Sequence, residues 1–365
     1  MTIIMLIFTI ALFAGVVGTA LIRKLAIRIG FIAIPKDDRA HTEPTALMGG
    51  LAIYTAASSA MLVLLFVSSQ FGNVFRVGEF FSIIIAATVM SAIGLWDDRR
   101  ALPVWIKLGA QFIPVLIVYV AGVRVQLPFF DGATTSVIFN FVITTGWILF
   151  ITNAVNYLDN ADGTAIMTSA AASAIFLLIA ILNDQQLVSI LAAGVLGASL
   201  GFARYNLPLP KSTIFMGDSG SLFLGFLLAV LGIKIRIPQN ITDITWMIPV
   251  IVLGLPIFDT TMDFTSRTRR GVSFFRGGVD HTTHRLARYG MDKLSVALTV
   301  SLITGSLGLV AIFITQATKF EAYSVFAALV VLALYSLWVI EFKPNHEFRT
   351  GKTQLSPETK PATQQ

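Results

Sequence analysis

FNFVITTGWILFIT, NAVNYLDNADG and TAIMTSAAASAIFLLIAIL follow one another without a break from residue 139 to residue 182. The outer two segments are oily, whereas the middle one sets Asn153, Asn156, Asp159, Asn160 and Asp162 within ten residues. About 20 apolar residues span a hydrocarbon core, because only a helix bonds all its backbone groups internally over so short a run. The stretch therefore predicts two membrane helices joined by a polar turn. Asn and Asp are ordinary turn residues and Asp162-Gly163 is a turn signal, but a turn does not require five such side chains. Beside lipid, that density of hard oxygen atoms suits a cation such as Mg²⁺ together with phosphate.

The rest of the chain repeats the pattern. With 55% hydrophobic residues, 13% charged residues and a mean hydropathy of +0.79, its 365 residues read as an all-α polytopic membrane protein. Eleven apolar stretches lie near 2–22, 47–68, 80–96, 103–122, 135–152, 164–182, 186–203, 219–236, 244–264, 293–316 and 321–341. The first has no basic residue ahead of it and no small-residue cleavage site behind it, so it reads as a retained helix. If the N-terminus lies outside, segments 23–46, 97–107, 153–163, 204–218, 265–293 and the C-terminal tail face inward and carry 21 of the 26 Lys and Arg. Arg76, Arg124, Lys234, Arg236 and Lys319 remain outside, the asymmetry expected of basic cytoplasmic loops, so the C-terminus reads as cytoplasmic. The formal charge of +6 thus reports topology. It does not point to nucleic acid, since the basic residues do not share one face with interleaved aromatics. Anionic headgroups or a nucleotide diphosphate suit a basic inner rim better. Residues 1–341 read as one transmembrane domain, and 342–365 as a disordered polar tail. There are no cysteines.

This topology gathers four polar clusters at the inner face: WDDRRALPVWIKLGAQ (96–111), TNAVNYLDNADG (152–163), FMGDSGSLFLGF (215–226) and GGVDHTTHRLARYG (277–290). Asp97 and Asp98 repel one another, which is relieved either by a divalent cation or by Arg99 and Arg100 at a solvated helix end. Lys107 and Gln111 stand one helical turn apart, and the lysine suits either a phosphate or snorkelling to the interface. Asn153 and Asn156 are three apart, as are Asp159 and Asp162, so each pair shares a face on a helix or tight turn. Gly217 to Ser221 lead into the eighth stretch, where Ser219 or Ser221 can cap an anion-attracting helix start and Asp218 can ligate a metal. The Gly-Lys-Ser/Thr ending of a Walker loop is missing. His281 and His284, which share their loop with Asp280, have neither Cys nor a nearby third ligand for zinc, so with Arg276, Arg285 and Arg288 they suit phosphate oxygens better. In the ninth stretch Asp259 reads as a buried hydrogen-bonding group and Asp263 as interfacial.

Taken together, these motifs resemble the polyprenyl-phosphate N-acetylhexosamine-1-phosphate transferases, glycosyltransferase family 4. The resemblance is carried by Arg39, His41, Pro44 and Gly49-Gly50; by Asp97-Asp98 with Leu102, Pro103, Lys107 and Gln111; and by the N..N..D..DG run. FMGDSGSLFLGF, Pro256 with Asp259, Arg269-Arg270-Gly271 and GG.DHT.HRL complete it. It implies an enzyme that moves N-acetylhexosamine 1-phosphate, with GlcNAc 1-phosphate the first expectation, from a UDP-sugar to undecaprenyl phosphate, releasing UMP. It further implies Mg²⁺, or Mn²⁺ in its place, on Asn156 and Asp218. Asp97 and Asp98 would lie by the lipid phosphate, one as proton acceptor, while Asp159 and Asp162 position nucleotide or metal. Asn153 would contact substrate, and Lys107, His281, His284 and Arg285 phosphate oxygens. The implied setting is the bacterial inner membrane, with UDP-N-acetylhexosamine, undecaprenyl phosphate and membrane lipid as partners and room for a homodimer. Two departures stand out. Asn160 occupies a position where the family usually has glycine, and the loop at 281–284 lacks consecutive histidines, which argues against the peptidoglycan precursor. The rival class is a transporter, which would set its site near the bilayer midplane between repeated halves. Here the charge gathers at one face and no repeat is visible.

Overall fold

The computed structural model describes residues 1–33, 44–71, 77–126, 133–237, 244–273, 278 and 280–342. Arg39, His41, Arg276 and the tail from 343 lie outside the described residues. The helices are α1 (Thr2–Arg28), α2 (Gly49–Phe71), α3 (Val77–Arg99), α4 (Val104–Val120), α5 (Ala133–Leu158), α6 (Thr164–Leu182) and α7 (Gln186–Asn206). They continue with α8 (Gly217–Lys234), α9 (Met247–Val252), α10 (Gly254–Arg269), α11 (Thr282–Arg288), α12 (Lys293–Gln316) and α13 (Lys319–Phe342). Among the described residues eight of these, namely α1, α3, α5, α6, α7, α8, α12 and α13, are long and apolar enough to cross a membrane, so the chain is an all-α polytopic membrane protein.

The expected eleven continuous spans are not reproduced. The stretch at 244–264 divides at Leu253 into the six-residue α9 and the sixteen-residue α10. Pro256 explains the break, because it has no N–H to donate and its ring crowds the carbonyl of Val252, four residues earlier. The fifth stretch errs the other way. It continues as helix to Leu158, so Asn153 and Asn156 occupy the last turns of α5 instead of a loop. Asp97 and Asp98 likewise end α3 as helical residues.

At the centre stands α8, in which every residue from Ser219 to Ile233 is buried. It packs against α2, α3, α5, α6, α7 and α9. In α13, by contrast, only Ala322 is buried, so the helix lies at the outside of the bundle. Two glycines let neighbouring backbones close onto the first turn of α8: a Cβ on Gly50 would fall 2.0 Å from Gly220 N, and one on Gly94 would fall 2.3 Å from Asp218 O. Small residues at such crossings are how membrane helices approach closely. The segment leading into α8 is held as well. Strand β1 (Ile32–Ala33) pairs antiparallel with β2 (Thr45–Ala46), and the Ala46 carbonyl accepts from Phe215 N at 2.8 Å. Gly49 and Gly50 donate to the carbonyls of Phe215 and Met216 at 3.0 and 2.7 Å. Asp218 therefore projects from a backbone fixed on several sides.

Candidate active site

The first turn of α8 is capped from across the bundle. Gly217 adopts φ +70° and lies so close to Asp98 that a Cβ there would fall 2.7 Å from its carboxylate, so both conformation and space call for glycine. The Asp98 oxygens accept from Asp218 N at 2.8 Å and Ser219 N at 3.0 Å. The positive helix end, expected to be capped by a serine and open to an anion, is thus occupied by an internal carboxylate. Ser219 instead pairs with Ser91 at 3.0 Å, and Ser221 donates back to Gly217 O at 3.1 Å.

Around Lys107, four helices converge. Its ammonium lies 2.8 Å from Asp97 Oδ2, contacts Asp218 Oδ2, and stands 3.4 Å from Asn156 Oδ1. Asn156 Nδ2 donates to Asp218 Oδ1 at 2.9 Å and Ser221 Oγ at 2.8 Å, which fixes the amide so that its oxygen faces the ammonium. Asp97 is held in turn by Leu102 N at 2.6 Å. One turn further along, Asn153 and Gln111 exchange hydrogen bonds of 2.7 and 3.3 Å between α5 and α4. A cavity of 680 Å³ opens on this cluster. Its lining is mostly apolar, with Leu108, Leu149, Phe150 and Phe264, and includes the polar side chains of Asp97, Lys107, Asn153 and Asn156. Such a space matches a charged head joined to a hydrocarbon chain.

The turn between α5 and α6 separates its two carboxylates. Because α5 ends at Leu158, Asp159 and Asp162 do not share a helical face. Asp159 feels Asp218, Asp98 and Asp162, and burial together with those like charges holds its carboxyl well above the usual range. Asp162 pairs with Lys293 at the start of α12, 2.9 Å away. Gly163, at φ +80°, donates to Asn206 Oδ1 at 3.0 Å.

On the other side, α10 and α11 form a second cluster. His281 Nδ1 lies 2.7 Å from Asp263 Oδ2 and 3.0 Å from Asp259 Oδ2, and Thr282 N donates to Asp259 Oδ1 at 2.6 Å. Burial alone would lower the imidazole, but the two carboxylates outweigh it and push His281 up to about 9. Arg267 approaches Asp263 at 3.4 Å and Asp280 at 3.5 Å, and Arg270 meets Asp280 at 2.6 Å. Burial raises the Asp280 carboxyl, yet these arginines bring it below its ordinary value.

The side chains of this loop find partners on other helices. A group of three possible ligands does include His281, but with Asp259 and Asp263 and not His284: their ligand atoms lie within 4.8 Å of one another. It was hidden because α10 supplies the two carboxylates. His281 and Arg285, expected on phosphate oxygens, have internal partners in this structure. Arg285 donates to Asp280 O at 2.8 Å, to Ser266 Oγ at 3.4 Å and to Glu341 at the end of α13. His284 stays half-buried, lowered by burial and by the charges of His281 and Arg288.

Residues 80–236 match the model of the family described as glycosyl transferase family 4. A Bacillus subtilis protein named "Probable undecaprenyl-phosphate N-acetylglucosaminyl 1-phosphate transferase" is 28% identical over 314 residues, 85% of each chain. The decaprenyl-phosphate N-acetylglucosaminephosphotransferase of Mycolicibacterium smegmatis is 30% identical over 320 residues, covering 79% of this chain and 76% of the relative. The chain belongs to glycosyl transferase family 4, among the polyprenyl-phosphate hexosamine-1-phosphate transferases. A phospho-N-acetylmuramoyl-pentapeptide-transferase of Leuconostoc mesenteroides is also similar, at 27% identity over 80% of this chain and 89% of its own. The stretch matching family 4 runs from α3 to α8 and carries Asp97, Asp98, Lys107, Asn156, Asp159 and Asp218, whereas the α10–α11 cluster lies beyond it.

Proposed function

We propose that this family 4 member transfers N-acetylhexosamine 1-phosphate, GlcNAc 1-phosphate first among the candidates, from a UDP-sugar to undecaprenyl phosphate at the inner face of a bacterial cell membrane. The N-terminus would lie outside and residues 1–341 would form the working domain. A phosphate oxygen of the lipid attacks the β-phosphorus of the UDP-sugar, and a new P–O bond forms. The bond from that phosphorus to the oxygen bridging to the α-phosphate breaks, so UMP leaves with the bridging oxygen. The lipid keeps the sugar on a diphosphate. No proton need move, because a phosphate monoester near neutral pH is already largely ionised.

The observation that carries this reading is the cluster of Asp97, Asn156 and Asp218 around one cation, Lys107, which lines a largely apolar cavity. Phosphoryl transfer asks chiefly for alignment and charge neutralisation. The Lys107 ammonium stands in for a hard cation here, since three oxygens from three helices face it. Those donors fit Mg²⁺ or Mn²⁺, with Asp218 and Asn156 Oδ1 as the holding groups and Asp97 facing the same point. A metal bound there would supply charge neutralisation on the diphosphate. Charge favours this cluster over the one on α10. Asp97, Asp98, Asp159 and Asp218 have Lys107 among them, while Asp259, Asp263 and Asp280 are already matched by His281, Arg267 and Arg270.

In this reading Lys107 turns to a phosphate oxygen when substrate arrives, Asp97 orients Lys107, and Asp98 acts by fixing the turn that presents Asp218. Asp159 would face the nucleotide, and His284 would remain the one histidine of its loop free to meet a phosphate. The test is UMP release by the purified full chain in detergent with Mg²⁺, undecaprenyl phosphate and a panel of UDP-N-acetylhexosamines. Release with at least one sugar is the expected result. Silence across the panel from folded protein would end the proposal.

A further inference from the structure

Asn160 has a use of its own. Among the described residues the non-glycine with positive φ is Asp184, so the backbone at 160 does not require glycine. The carboxamide is held at both ends: Nδ2 donates to Tyr157 O at 2.9 Å, and Oδ1 accepts from the Thr283 hydroxyl. Thr283 is buried, and it belongs to the first turn of α11. Its two preceding residues are anchored elsewhere, His281 on Asp259 and Asp263, and Thr282 N on Asp259. Three successive residues therefore tie α11 to two different bodies, α10 on one side and the Asp159–Asp162 turn on the other.

We propose that Asn160 is a positioning residue whose amide latches the histidine-bearing helix α11 onto the turn that carries Asp159 and Asp162. The latch rests on the transferase reading for its purpose but not for its geometry. Without Asn160 the buried Thr283 hydroxyl loses its acceptor, and an unmet buried hydroxyl is costly enough to shift the helix it belongs to. Since α11 is only seven residues long, its place depends on such contacts more than on its own stability. Glycine at 160 would keep the backbone and lose the latch, which separates the two uses of the position.

The experiment uses the full chain in detergent and takes advantage of its lack of cysteine. Asn160→Gly, Thr283→Val, the double variant and Thr283→Ser are compared for kcat and KM of UMP release. Nitroxides on Ala161→Cys and Ala287→Cys report the separation of turn and helix without substrate. The latch predicts that each single variant lowers kcat/KM about tenfold, the effect expected of one buried hydrogen bond. The double variant should fall no further than either single one, Thr283→Ser should match wild type, and the distance distribution should broaden in Asn160→Gly and Thr283→Val. An unchanged distribution in Asn160→Gly, or losses that multiply in the double variant, would overturn the latch. A wild-type protein that releases no UMP with any sugar, while Asn160→Gly and Thr283→Val still broaden the distribution, refutes the transferase reading and leaves the latch standing.

Discussion

The ammonium of Lys107 lies 2.8 Å from Asp97 and contacts Asp218 at the same time, so one side chain of α4 joins the end of α3 to the start of α8. Lysine is suited to this because it is a compact point charge on a flexible stem, able to leave two carboxylates for a phosphate without changing its anchor. Lys107→Gln is expected to lower kcat for UMP release by about 10²-fold or more, the scale of losing one preorganised charge. Steady-state turnover checks this, and a change of less than threefold would remove Lys107 from the reaction.

Asp98 is assigned to architecture by its contacts, since both oxygens are taken by Asp218 N and Ser219 N. Asp98→Ala should cost about 1–2 kcal/mol of stability, as for loss of a helix N-cap. Asp98→Asn, which keeps one acceptor oxygen, should recover most of it. Thermal unfolding in detergent measures both; equal midpoints for alanine and wild type would argue that the cap does not matter.

His281 gives the α10–α11 cluster a pH dependence of known sign. Its folded value of about 9 stands above the ordinary 6.5, so protonation favours the folded form. The contribution is fully present below about pH 6.5 and disappears as pH rises through about 9. Wild type should therefore lose stability between pH 7 and 10, and His281→Asn should flatten that part of the profile. A profile unchanged by the substitution would contradict the pairing with Asp259 and Asp263.

Glu341 receives Arg285 from α11 and Arg269 from α10, and Arg269 also lies over the Phe342 ring at 4.2 Å. Arg285 and Glu341 are both nearly buried, with side-chain exposures of 6% and 9%. Breaking such a pair leaves an unmatched charge, and Glu341→Gln should destabilise the chain by about 3 kcal/mol. Chemical or thermal unfolding tests it, with Glu341→Asp expected to lose less.

What could be read from sequence follows the range of the forces involved. Asn153 and Asn156 were legible because amides next to lipid demand partners, and the bundle supplies Gln111, Ser221 and Asp218. That α5 itself would carry them was not legible, since turn propensity and helix continuation compete at such residues and tertiary hydrogen bonds decide. The break at Leu253 had a local cause in Pro256 that the strong hydropathy of 244–264 concealed. The cap by Asp98 joins residues 120 positions apart, and Glu341 carries no motif at all. Neither has a signal in local pattern, because each depends on which helix ends meet in the bundle.

The most direct test is a Mg²⁺ titration of UMP release by wild type and by Asp218→Ala, run alongside thermal unfolding. Wild type should show saturable dependence on the cation, while Asp218→Ala should unfold at nearly the same temperature and release no UMP at any Mg²⁺ concentration. Turnover by Asp218→Ala with the Mg²⁺ dependence of wild type, or wild-type turnover that ignores the metal, would contradict a cation held between Asp218 and Asn156.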